Sequence, residues 1–430
     1  MKIKSLLIGS AAALVAATGA KAADAVVVAE PEPVEYVRVC DAYGAGFFYI
    51  PGTETCLSIS GYVWWQLGAG NYRVHSAPGV AGDTVGYYDG TTANGWMANV
   101  RARVNFDARS DTEWGTLRAF MRIQSTWNGS GPPSTDGPAT FDQAFIELGG
   151  WRMGYTESAW AQTQGGGATN WGSHSWGGMY YGYQQRLLLA YTFQGGNGFF
   201  GTISLEDDAL NTPPGFNPYI PAPAGGNYIP DVVVKLGVNQ GWGSVWAMVG
   251  YDEDFSGSGY PATVAFLPGA PNSGGFGAAL GVQINIPNMP GSNLRVIGYY
   301  ADGAHAYNVG SPTSIFGPFA TAVPPVVPSN IYGGAEWSVL ASYNHAFSST
   351  LSASVAFQYF NDLYFVGTDV STGMDAWGAE LSVVWFPVEN FETRLELHYD
   401  DIVSTHPAII TPTGNPDGTF SGFLRFTRYF

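Results

Sequence analysis

Charge is what this chain has least of. Only 12% of its 430 residues are Asp, Glu, Lys or Arg, about half the share of an ordinary soluble domain. Lysine is nearly missing: Lys2, Lys4, Lys21 and Lys235 are all there is. A formal net charge of −17 leaves nucleic acid a poor partner. Long apolar runs are absent too. Beyond residue 22 nothing approaches the roughly 20 apolar residues of a membrane-spanning helix. What the chain does have is 58 glycines and 15% aromatics. Few charges, many rings and no long apolar run fit a transmembrane β-barrel, whose lipid face is built from every second residue.

The N-terminus carries an export signal. Lys2 and Lys4 precede an apolar run from Leu6 to Ala17, and Ala20-Lys21-Ala22 is an A-x-A cleavage site. Residues 1–22 are therefore expected to be removed, which takes away three lysines and moves the net charge from −17 to −20. Cysteine occurs only at Cys40 and Cys56. In an exported chain this pair is expected to form one disulfide, worth roughly 3 kcal/mol on the chain-entropy argument. It would sit in a periplasmic segment, 23–56, ahead of a barrel spanning 57–430.

From Leu57 onward, alternating segments of about ten residues recur. The pattern predicts sixteen antiparallel strands, near 57–67, 96–107, 112–124, 141–149, 151–156, 184–193, 197–206 and 231–239 in the first half. The second half continues at 243–252, 275–286, 292–301, 335–346, 350–360, 376–386, 390–400 and 419–430. Connections between them alternate strictly between short and long, as periplasmic turns and external loops do in outer-membrane barrels. The chain ends on Phe430, in register with an alternating strand. Sixteen strands enclose an aqueous lumen rather than a packed core.

Alternation also assigns the faces. In 96–107, Ala98, Val100, Ala102, Val104 and Phe106 share one side, with Asn99, Arg101, Arg103, Asn105 and Asp107 on the other. An arginine at mid-membrane on the lipid side costs roughly 2–4 kcal/mol, so the arginine side is the lumen. By the same reasoning Arg118, Phe120 and Arg122 face inward, and so do Glu392, Arg394, Glu396 and His398. Arg101, Arg103, Arg118 and Arg122 are expected to form a basic wall, with Arg152 and Arg186 extending it. Fixed charge in a narrow pore biases which solutes enter.

The motifs also resemble a known family. Tyr36-Val37-Arg38-Val39-Cys40-Asp41-Ala42-Tyr43-Gly44-Ala45-Gly46, the run from Tyr49 through Cys56 to Leu57, and Phe141-Asp142-Gln143-Ala144-Phe145-Ile146 are similar to porins of alphaproteobacteria of the rhizobial and Brucella type. Gly154-Tyr155-Thr156-Glu157-Ser158, Ala190-Tyr191-Thr192-Phe193-Gln194-Gly195-Gly196-Asn197-Gly198 and Leu424-Arg425-Phe426 extend the resemblance over nearly the whole chain after the leader. It implies a homotrimeric outer-membrane channel for passive diffusion of small hydrophilic solutes, in contact with lipid and lipopolysaccharide and without a cofactor. It also implies that the third external loop, 157–183, folds inward to narrow the pore.

That loop holds one carboxylate, Glu157, beside Trp160, Gln162, Gln164, Asn170, Trp171, His174 and Trp176. Trp64, Trp114 and Phe120 also fall on lumen registers. Aromatic and amide groups together can stack on and hydrogen-bond sugars, so a sugar-preferring constriction is one alternative. Tryptophans that merely pack the loop against the wall are the other. Gly196-x-Gly198-x-x-Gly201 imitates a dinucleotide fingerprint but opens a strand rather than a helix. Asp207-Asp208, Asp252-Glu253-Asp254 and Asp400-Asp401 map to external strand ends, where they would either share divalent cations or stay solvated. No serine is identifiably paired with His398, which argues against an enzyme. An adhesive role for the long loops would be additional to the pore.

Overall fold

The computed structural model describes residues 38–71, 94–127, 138–161, 172–176, 179–207, 229–252, 274–303, 305–309, 332–365, 371, 373–402 and 419–430. The leader and residues 23–37 lie outside the described residues, as does Gln162. A short strand β1 (Phe47–Tyr49) precedes β2 (Cys56–Asn71), β3 (Asn94–Thr112), β4 (Gly115–Trp127), β5 (Thr140–Leu148) and β6 (Trp151–Glu157). Next come β7 (Gln185–Gln194), β8 (Phe199–Asp207), β9 (Asp231–Gln240), β10 (Gly243–Asp252), β11 (Gly275–Asn285) and β12 (Asn293–Ala301). The last five are β13 (Tyr332–Ala346), β14 (Leu351–Phe365), β15 (Ala376–Val388), β16 (Phe391–Ile402) and β17 (Thr419–Tyr429).

Strands β2 to β17 each pair antiparallel with the next, and β17 returns to β2 with Leu424 opposite Leu67. Backbone bonds between Gly61 and Phe430, at 2.9 and 3.1 Å, lock this seam at its lower end. Closure leaves no unpaired sheet edge, which the membrane interior requires. All sixteen strands expected from alternation are present. One turn differs. β3 and β4 run on to Thr112 and back from Gly115, so residues 108–112, placed largely in a turn by the sequence pattern, are strand. Trp114 consequently sits in the turn itself, 73% exposed, and not on the lumen face.

The side chains obey the expected alternation. Leu117, Leu187, Leu189, Phe193 and Leu395 are exposed on the outer surface, whereas Arg122, Arg186, Glu392 and Glu396 are buried inside. Among the described residues no helix is long and apolar enough to cross a membrane.

The interior is not uniformly open. Between β8 and β15 it is filled by a cluster that includes Phe200, Val233, Trp246, Ile297, Tyr299 and Phe360, with Trp160, Tyr181 and Tyr307 inserted from the loops. Glycines on the inner wall make this possible. A Cβ at Gly277 would run into the Tyr307 carbonyl oxygen, one at Gly250 into its ring, and one at Gly281 into the Trp246 ring. Bare backbone lets these bulky groups lie flat on the wall.

The N-terminal segment is built onto the base of the barrel. β1 pairs with Cys56, Leu57 and Ser58 of β2. The opposite edge of those residues is taken by β3, so β1 fills the stretch of β2 edge that β17 leaves free. Cys40 and Cys56 form a disulfide, buried with Phe47 against Tyr43 and Tyr49. The Tyr43 hydroxyl donates to Asp111 at 2.7 Å, and the Arg109 guanidinium lies 5.0 Å from the Phe47 ring centre.

Candidate functional site

The connection between β6 and β7 turns into the barrel and reaches its far wall. Ala159 donates its N–H to Glu206 of β8 at 3.0 Å. Further along, the Ser173 hydroxyl donates to Glu380 of β15 at 2.8 Å, and Arg295 of β12 donates to the Ser173 carbonyl at 3.2 Å. The His174 ring bonds Ser342 of β13 at 2.5 Å and, through Nε2, Asn293 of β12. Asn293 is the first residue of β12, beside a short turn, so the loop descends well below the mouth. Trp176 N–H donates to Glu396 of β16 at 2.6 Å, and its ring covers Arg425 of β17 with 3.9 Å from guanidinium carbon to ring centre. Tyr180 donates its N–H to Gln358 of β14 at 3.1 Å.

A second connection also enters. Ala306 donates its N–H to Asp252 at 3.0 Å, and Tyr307 donates its hydroxyl to Asp231 at 3.0 Å. Tyr180 likewise donates its hydroxyl to Asp400 at 3.1 Å. Asp252 and Asp400 therefore hold inserted segments inside the barrel and are buried. They are neither solvated nor free for external cations, because inward-facing strand ends lie within reach of the loops. Asp208, Glu253 and Asp254 lie outside the described residues.

Across from the seated loop stands the arginine wall, half-buried on β3 to β6. Its charge is partly matched, with three carboxylates shared among five arginines. Arg118 bridges Asp107 at 2.9 Å and Glu147 at 2.8 Å. Arg109 joins Asp107 at 2.7 Å and Arg152 joins Glu147 at 2.6 Å. Arg122 and Arg103 share Asp142, at 3.4 and 3.5 Å. Arg101 has a hydroxyl partner instead, Thr126 at 2.7 Å. Asp107 comes from β3 itself, while Asp142 and Glu147 come from β5, where antiparallel pairing puts them in contact with arginines of the neighbouring strands.

The remaining expected site residues separate. Glu157, the last residue of β6, is buried and accepts from Gln143 at 3.4 Å. Arg186 is buried and donates to Gln184 at 3.0 Å. Trp160 is fully buried, 5.9 Å from the Tyr307 ring and 6.5 Å from that of Tyr299. It anchors the loop and offers no face to a solute, which corrects its placement as a constriction residue. The His174 imidazole is pushed down to about 4 by burial first and the nearby Arg295 second, so it is neutral at pH 7. Outside the membrane, Tyr43 is pushed up to about 12, by desolvation and then by its bond to Asp111.

Arg425 is a lumen-side residue that the reading of strand faces did not single out. It is buried against Trp64, Phe423 and Trp176. Its signal was in the alternation, since Leu424 and Phe426 point outward and place Arg425 inside.

A sixteen-stranded transmembrane barrel whose loop seats in the lumen opposite charged strands is a barrel of the porin class, a resident of the outer membrane. The chain belongs to the porin subfamily, whose family model matches residues 24–416. It is 44% identical to porin Omp2b of Brucella suis biovar 1 (strain 1330) over 261 residues, covering 59% of this chain and 66% of that protein. The match thus spans just under two thirds of the relative's length. Two solved structures share the fold at low identity. The outer-membrane channel DcaP of Acinetobacter baumannii superposes with a TM-score of 0.57 at 14% identity, covering 89% of this chain and 99% of the other. An anion-selective porin from Comamonas acidovorans gives 0.53 at 10% identity, covering 88% and 100%.

Proposed function

We propose that this protein is a water-filled channel through which small hydrophilic solutes and ions diffuse passively across the outer membrane. The observation that carries the reading is the position of the loop after β6. It is bonded to β12, β13, β15 and β16, and the charged side chains of β3 to β6 stand on strands outside that set. Solute size is set by the gap between loop and wall, and charge preference by the groups on each side. The short-turn end, with the disulfide segment, faces the periplasm, as expected from the turn lengths.

The working unit is a homotrimer set in lipid and lipopolysaccharide. Support comes from the outer face of the seam, where Val63 and Trp65 are exposed, Trp65 stacks on Phe426, and Phe430 is exposed beside them. A sugar-preferring constriction has less support, because the ring of Trp160 is spent on packing.

Liposome swelling with sugars of rising mass tests the reading. Uptake that falls smoothly with size, and does not saturate with concentration, is the expected result. Liposomes that never swell, despite correctly folded protein, would refute it.

A further inference from the structure

We propose that Arg101 and Arg425, grouped around Trp64 at the barrel seam, form a subsite for the oxyanion group of a passing solute. This rests on the channel reading and adds a substrate class to it: small solutes bearing a carboxylate or phosphate group.

The first argument is a charge account of the passage. Arg103, Arg109, Arg118, Arg122 and Arg152 each lie within ion-pair distance of Asp107, Asp142 or Glu147. Arg101 and Arg425 do not. Among the described residues Arg101 has the Thr126 hydroxyl as its hydrogen-bond partner and Arg425 has the Gln66 amide oxygen, 2.8 Å from its Nε. Neither neutralises a guanidinium. Glu396, opposite Phe423 two residues from Arg425 along the same face of β17, is already shared by Arg394 at 3.2 Å and the Trp176 N–H at 2.6 Å.

The second argument is geometric. Both guanidiniums lie over the same indole, Arg425 at 4.7 Å and Arg101 at 5.4 Å from the Trp64 ring centre. Trp64 pairs directly with Arg101 across β2 and β3, while Arg425 pairs with Gln66, two residues along the same face of β2. Two cations thus converge on one patch of the lumen wall. Trp176 covers Arg425 from the loop side and is itself partly exposed.

The third argument is an orphaned donor. Trp64 is 3% exposed, and its indole Nε1 is buried with no acceptor among the described residues. Buried donors are nearly always satisfied. Two guanidiniums whose partners are uncharged thus meet beside an indole N–H without an acceptor among the described residues. Guanidinium is well matched to carboxylate and phosphate oxygens, and the flanking rings limit competing water. Arg101 remains half-exposed and receives the solute, with Arg425 adding positive potential from behind the rings.

The test is single-channel recording in potassium chloride with inorganic phosphate added, and with acetate in a parallel series. Saturable reduction of the chloride current by phosphate is expected in the unmodified protein. Arg101→Gln should raise the half-blocking concentration about tenfold. Trp64→Phe, which keeps a ring but removes the N–H, should raise it about threefold. Arg428→Gln, exposed on the outer surface, should leave it unchanged. In a salt gradient, Arg101→Gln should move the reversal potential toward the potassium value. Block by phosphate but not acetate would assign the site to phosphate-bearing solutes, and block by both to carboxylates as well. Conduction without block, or equal block in the unmodified protein and in Arg101→Gln, would overturn the subsite alone. Failure of folded protein to conduct would overturn the channel reading and the subsite with it.

Discussion

Replacing Trp176 by alanine should loosen the loop where it narrows the passage. The ring covers the buried Arg425 guanidinium at 3.9 Å, a desolvated cation–π contact worth about 2 kcal/mol. It also meets Phe423 edge-on at 6.5 Å, adding roughly 0.5–1 kcal/mol. Losing about 3 kcal/mol raises the population with this part of the loop released by about two decades. The loop as a whole should stay inside, because the Ser173 and His174 contacts remain. The assay is single-channel recording. Trp176→Ala should show higher conductance and greater open-channel noise than the unmodified protein, with Trp176→Phe in between. A folded variant with unchanged conductance and noise would show that this contact does not hold the constriction.

Other consequences concern the filler, the wall and the disulfide segment. Gly277→Ala drives a methyl group into the Tyr307 backbone, an overpacking expected to cost roughly 1–3 kcal/mol; a lower midpoint for loss of the heat-modifiable gel form would register it. Arg118→Leu leaves Asp107 and Glu147 each short of one partner, so reversal potentials should move toward cation preference while unitary conductance stays within about twofold. Exchanging both Cys40 and Cys56 for serine should cost about 3 kcal/mol of docking of the N-terminal segment, seen as faster proteolysis there with pore conductance intact. The Tyr43 hydroxyl binds Asp111 only while protonated, and its pKa is raised from 10.0 to about 12. Its contribution to docking is therefore full below pH 10 and lost as pH climbs through about 12, a loss absent in Tyr43→Phe by the same proteolysis assay.

The barrel was legible because one physical rule governs every strand. Lipid on one side and water on the other force a period of two, and chain closure fixes the rest. That rule found all sixteen spans and placed Arg101, Arg118 and Glu396 inside. It failed where period two does not apply. Trp114 falls in the turn because the strand pair runs past residues 108–111, where the sequence pattern puts the turn, to residues 113–114. Both readings of Trp160, constriction and packing, stay open in the sequence because composition cannot distinguish a ring facing solvent from one packed on glycine. Its neighbours Tyr299 and Tyr307 are about 140 residues away in sequence, and the receiving glycines, Gly250 and Gly277, resemble ordinary strand glycines. The pairing within the wall was also hidden. Asp142 and Glu147, both on β5, meet arginines of β3, β4 and β6 through strand register, which a reading of single strands does not reveal.

Stepwise conductance across a planar bilayer by the refolded, trimer-sized protein tests the central claim most directly. The account predicts large ohmic openings, in groups of three, that scale with bulk salt and pass current in both directions. A membrane that takes up folded barrels yet stays electrically silent would contradict it.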